Sequence, residues 1–178
     1  MSKTNGVLFT ILHIIAWIIF IGLSIDAGAL LVNFFFHLYK PEILPRLYET
    51  LDLRGLYQIN TFAFFGVYSF VLFIAVLKAC LFYQVIRLLM AFNLSKPFNS
   101  SASNKISGIS YYILSIGFMG YIARQIVVNL QHHGFVNNKL NQFWADSQAF
   151  ILMGAIVYVI ASIFKKGVEL QMENDLTV

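Results

Sequence analysis

The chain is poor in the residue types that most often carry covalent or metal chemistry. It has a single cysteine, Cys80, inside an apolar run, so neither an intramolecular disulfide nor a Cys-x-x-Cys pair can form. That speaks against a small quinone-linked thiol oxidoreductase. Charge is also scarce: Asp, Glu, Lys and Arg make up 11% of the residues, and the net charge is only +4. No block of Lys and Arg forms a stripe for nucleic acid, so direct nucleic-acid binding is not expected, and the basic excess reads as topology and contact with anionic lipid. The four histidines are His13, His37, His132 and His133, and no two of them share a depth inside an apolar segment. A bis-histidine haem site needs such a pair. His132 and His133 adjoin in a connector without the Cys/His/carboxylate spacing of a metal site. There is no P-loop, no H-E-x-x-H, no Ser-His-Asp arrangement and no pair of helix-borne acids. The expectation is a protein without catalytic residues, cofactor or metal.

Apolar length is abundant. Hydrophobic residues make up 59% of the chain, with eighteen Phe and nine Tyr, an aromatic load suited to lipid-facing surfaces and interfacial belts. Four runs pass the test of about 20 residues needed to cross a bilayer at about 1.5 Å per residue. They cover about 7–38, 57–92, 106–130 and 147–164. The expected fold is an all-α membrane protein, a four-transmembrane-helix bundle over 1–164 followed by a tail over 165–178. The first run is too long for a secretory signal and lacks a small-x-small cleavage site, so it reads as an uncleaved helix. Lys3, Arg87, Lys96, Lys105, Lys165 and Lys166 fall on one side, against Lys40, Arg46, Arg54 and Lys139 on the other. The positive-inside bias then puts both termini in the cytoplasm.

The connectors differ in character. In 39–57, Leu44, Leu47, Tyr48 and Leu51 recur at helical spacing while Arg46, Glu49 and Asp52 fall off that face. This predicts a short amphipathic helix lying in the outer interface. The stretch 93–107, NLSKPFNSSASNKIS, reads as a polar cytoplasmic loop offering several helix caps.

Charges inside the spans are costly and need partners or a route to water. Counting along the helices puts Asp26 about 10–15 Å inside the outer boundary and Arg124 about 9 Å below it. Lys78 falls about 24 Å down, close to the cytoplasmic face, where it and Arg87 can snorkel. The depths predict an Asp26–Arg124 pair between the first and third helices. Gly22, Ser24 and Gly28 around the acid, and Gly117 and Gly120 below the arginine, read as small residues permitting close helix approach.

The tail KKGVELQMENDLTV is the one stretch whose composition lipid does not explain. Gly167 can end the fourth helix as a residue beyond its C-cap. Val168, Leu170 and Met172 then alternate with Glu169, Gln171 and Glu173, a period-two pattern that fits an extended segment. The candidate partner-binding residues are Gly167, Glu169, Gln171, Glu173, Asn174, Asp175, Leu176, Thr177 and Val178, open to strand addition or capture of the terminal carboxylate.

The segments FIGLSIDAG (Phe20–Gly28), LSKPFN (Leu94–Asn99) and IFKKGVELQMENDLTV (Ile163–Val178), in this order, resemble a family of small bacterial membrane proteins with four spans and no assigned function. The resemblance covers essentially the whole chain, and the closing run is its most specific part. It implies a multi-pass protein of the bacterial inner membrane, often encoded beside a small helix-turn-helix regulator, and it transfers no catalytic residue. Two function classes follow. One is a non-enzymatic regulator or sensor acting with that cytoplasmic regulator. The alternative is a small transporter or channel-like subunit in which Asp26 and Arg124 line a polar path within a homo-oligomer.

Overall fold

The four apolar runs form four long helices: α1 (Lys3–Tyr39), α2 (Thr61–Ala91), α3 (Ser100–His132) and α4 (Ser147–Asp175). They are seen in a computed structural model that describes residues 3–39, 56–57, 60–91, 99–132, 140 and 143–175, with side chains for all of these except 3–5, 37, 39, 174 and 175. Each helix is long and apolar enough to cross a membrane, and no strand occurs among the described residues. At 29 to 37 residues they run about 43 to 55 Å, well beyond a hydrocarbon core of about 30 Å.

Local chemistry sets the helix starts. Asn60 Oδ1 accepts from the Ala63 amide at 3.1 Å and Asn99 Oδ1 from the Ala102 amide at 2.7 Å. Each is an N-cap, satisfying an amide that the first turn leaves without a helical partner. Of the caps offered by the Ser/Asn-rich stretch, Asn99 is the one used, so Ser100 to Ser107 belong to α3 rather than to a loop. Within the helices, Ser24, Ser107 and Ser162 donate their hydroxyls to carbonyls one turn back, Phe20 O, Ser103 O and Tyr158 O. Internal satisfaction of this kind is what a water-poor surround demands.

The helices pack in chain order, α1 on α2, α2 on α3 and α3 on α4, each pair antiparallel. Tyr68 donates to the Leu30 carbonyl at 2.9 Å, and Phe34 packs on Phe65 and Tyr68 while Phe20 meets Tyr83. Gly117 faces Ile151, Gly120 faces Ser147 and Gly154 faces Leu114, which fixes the register of α3 on α4. Two buried clusters result. One joins Leu30, Phe64, Tyr68, Val71, Ala123 and Val127 with Leu56, Leu140 and Trp144, so two connectors dip into the core at that end. The other gathers Ile74, Leu81, Ile109, Ile113 and Ile116 midway along the bundle. Outward faces are apolar, with Ile18, Ile25, Leu152 and Ile163 each more than 60% exposed. A contiguous apolar surface of this kind marks lipid rather than water as the solvent.

Two expectations change here. Gly167 does not end the fourth helix, which continues to Asp175 and so makes 167–175 helical instead of extended. Glu, Leu, Gln and Met are strong helix formers, and Lys166 Nζ bonds Glu169 Oε2 at 3.1 Å three residues along. The period-two pattern loses to these local preferences. The expected interfacial helix over 39–57 falls almost wholly outside the described residues; Leu56 and Tyr57, at its end, are helical and lead into Asn60, whose amide bonds the Leu56 carbonyl at 2.8 Å.

Candidate functional site

The turn Trp144-Ala145-Asp146-Ser147 begins α4. Ser147 N donates to Trp144 O at 3.1 Å and Phe150 N to Asp146 O at 3.0 Å, so the chain turns sharply into the helix. The turn does not sit at the level where α3 ends. It lies opposite Gly120, about 18 Å before His132 at 1.5 Å per residue. Gly120 makes this approach feasible: a Cβ there would come within 3.0 Å of Ser147 Cβ and 3.5 Å of Trp144 Cβ.

A narrow cleft follows from this recessed start. Lys78 of α2, Ile116 and Gly120 of α3, and Phe143, Trp144, Asp146, Ser147 and Phe150 around the α4 start line it. The Lys78 ammonium lies 5.9 Å from the centre of the Phe150 ring, within range of a cation–π attraction. The Asp146 carboxylate acts electrostatically on that ammonium, yet the two are not in ion-pair contact. Trp144 and Ser147 are each only 2% exposed. The Trp144 Nε1 and Ser147 Oγ atoms have no hydrogen-bond partner among the described residues. Leaving one such group unsatisfied in a buried position costs about 1–3 kcal/mol. The cleft thus has Lys78 and Asp146 on its polar side and Ile116, Phe143 and Phe150 on its apolar side, with Trp144 Nε1 and Ser147 Oγ closed off in the packing beside it.

Lys78 faces the start of α4, beside Trp144, Asp146 and Phe150. The other singled-out residues lie elsewhere. Asp26 and Arg124 are both exposed, on helices that are not principal packing partners, and neither has an ion-pair partner among the described residues. The structure does not bring them together. Gly22 and Gly28 beside Asp26 have no atom within 4 Å of an added Cβ, so they mark no close approach, whereas Gly117 and Gly120 do, against α4. In the tail, Gly167 and Gln171 are half-buried, Glu169 pairs with Lys166 and Glu173 is exposed. Asn174 and Asp175 end the helix, and Leu176, Thr177 and Val178 lie outside the described residues.

Sequence reasoning missed the cleft. Two signals for it exist: Lys78 is the one charge between Leu56 and Tyr83, and Trp-Ala-Asp-Ser precedes an apolar run in the manner of a helix start.

Four helices of membrane-crossing length, stacked antiparallel with apolar outer faces, define a multi-pass α-helical membrane protein. The chain belongs to the family described as "Protein of unknown function (DUF2975)", whose pattern matches residues 35–178. That match takes in the LSKPFN segment, the residues of the cleft and the closing run, while FIGLSIDAG falls before it. No curated protein and no solved structure matches the chain.

Proposed function

We propose that this protein is a non-enzymatic regulator or sensor of the bacterial inner membrane. The cleft receives the signal, and the C-terminal end of α4 meets a cytoplasmic helix-turn-helix regulator of the kind the resemblance implies. Both termini lie in the cytoplasm in this reading, as the distribution of Lys and Arg predicts.

One observation carries the proposal. α4 is a single uninterrupted helix from Ser147, in the cleft, to Asp175. A helix is stiff along its axis, so a shift at its first turn reaches its far end. From Lys165 to Asp175 it runs about 15 Å beyond the last apolar run, presenting Leu170 and Met172 half exposed. Lipid does not account for that charged, partly apolar extension, whereas a protein surface does. The transport alternative has less support, because Asp26, the acid its path would use, stands on an exposed face of α1 and does not line the cleft.

Deletion of Glu169–Val178 tests the proposal. The truncated protein is expected to keep its helical bundle and its unfolding midpoint in detergent. It should no longer co-purify with the neighbouring regulator, and the regulator's target genes should no longer respond to it. Undiminished control of those genes by the tailless protein would overturn the reading.

A further inference from the structure

Two charges within the apolar spans have no partner inside the chain. Asp26 is exposed on α1 and Arg124 on α3, and neither makes an ion pair or hydrogen bond among the described residues. Both lie within the apolar length of their helices, Gly6–Phe36 and Ser100–His132. Asp26 is about 15 Å short of Phe36, and Arg124 about 12 Å short of His132, at 1.5 Å per residue. A side chain as short as that of Asp26 cannot reach the interface from this depth, and lipid offers a carboxylate neither donor nor counter-charge. Its neighbours on the open face are hydrocarbon: Ile18 and Ile25 are 65% and 66% exposed. Tyr121, Ile122 and Val128 stand exposed around Arg124 in the same way. The two charges also agree in level. Ala123, next to Arg124, shares a buried cluster with Leu30, which lies one turn beyond Asp26, and a long arginine side chain spans one turn. α4 starts opposite Gly120, so about three turns of α3 reach past it and keep an open face at Arg124.

We propose that a second copy of this chain covers these faces, with Asp26 of one copy paired to Arg124 of the other. The chain carries both halves of the pair, so no other protein is needed to supply the counter-charge. Copies inserted in the same direction keep equal depths, so residues that match in level within one chain also match between two. A two-fold axis along the membrane normal makes both reciprocal pairs at once, and the contact closes as a dimer. Each pair joins a carboxylate to a guanidinium away from water, where the attraction is strongest. α1 suits this role, since it attaches to α2 through one stripe and leaves the rest of its surface open. Dimerisation uses neither the cleft nor the C-terminal end of α4, so it stands apart from the regulator role.

The test uses the full chain in phosphatidylcholine vesicles, with energy transfer between donor-tagged and acceptor-tagged copies followed as added lipid dilutes the protein. The parent is expected to self-associate. Asp26→Asn and Arg124→Gln should each weaken association about tenfold or more, since each removes both reciprocal pairs. Mixing the two variants restores one pair, Arg124 of the first with Asp26 of the second. The mixture should therefore associate about threefold more tightly than either variant alone, half of the lost free energy. The double reversal, Asp26→Arg with Arg124→Asp, should associate like the parent, while each reversal alone should be weaker than its neutral counterpart. These side chains face outward, so the fold is expected to survive; circular dichroism checks it, and two misfolded chains could not recover on mixing. Transfer from the parent no greater than chance proximity means that both charges face lipid, and overturns the proposal. Association untouched by both neutral variants places the contact on another face and overturns it equally, as does a mixture no tighter than its components. Deletion of Glu169–Val178 should leave the transfer unchanged while it abolishes co-purification with the regulator, so the dimer and the regulator role fail on separate results.

Discussion

At Gly117, a Cβ would lie 2.7 Å from both the side chain and the backbone nitrogen of Ile151; at Gly154, it would lie 2.8 Å and 2.9 Å from the side chain and backbone nitrogen of Leu114. A backbone atom cannot rotate out of the way, so an added methyl must push α3 and α4 apart. Gly117→Ala and Gly154→Ala are each expected to lower stability by about 1–3 kcal/mol, the range for overpacking a fitted contact. Gly22→Ala and Gly28→Ala, mid-helix with open space around them, should be neutral or stabilising by up to about 1 kcal/mol, since alanine is the better helix former. Reversible unfolding in mixed micelles measures the difference, and equal effects at the two pairs of sites would contradict the register of α3 on α4. In the sequence these glycines look alike, and those flanking Asp26 look the more promising. What separates them is which helix lies opposite, and spacing along one helix carries no information about that. Lys78 follows the same logic. Its isolation among apolar residues is visible in the sequence, but Trp144 and Ser147, which line the same cleft, lie more than sixty residues away and come near it only through the packing of the α4 start.

Helices as units were easier to read than their ends. Long apolar runs bounded by polar stretches define all four, since hydrophobic length over a 20-residue window has few other interpretations. The ends depend on weaker terms, a few tenths of a kcal/mol per residue for propensity and for an i,i+3 ion pair. In the α4 extension these outweigh both Gly167 and the alternation of Val168, Leu170 and Met172. The two conformations differ in a measurable way. In an extended segment those three side chains share one face and respond alike. In the helix, Val168 is 7% exposed while Leu170 and Met172 are 50% and 53% exposed. Single cysteines placed at these positions in a Cys80→Ser background should therefore label unequally with a membrane-impermeant maleimide in detergent. Position 168 should be protected and positions 170 and 172 reactive. Equal labelling at all three would restore the extended tail.

Across the whole molecule, α2, α3 and the start of α4 enclose the cleft, while α1 attaches along α2 through one stripe, Ala16, Ala27, Leu30 and Asn33. That arrangement explains why the predicted Asp26–Arg124 pair is not made. Matching depth along two helices is necessary for contact, but the neighbour order and the rotation of each helix about its axis decide whether two side chains meet. Here α2 stands between α1 and α3, α1 packing mainly on α2 and α3 mainly on α4, and the two charges face outward. A buried pair within the bundle would couple strongly, and removing one partner would leave a costly orphaned charge. Outward charges without a mutual contact should instead behave independently. A double-mutant cycle of Asp26→Asn and Arg124→Gln, measured by unfolding in micelles that hold a single chain each, is expected to be additive within about 0.5 kcal/mol, as for distant sites. A coupling energy of about 1 kcal/mol or more would show that the two residues meet within one chain, and would require α1 to pack across α3 rather than along α2.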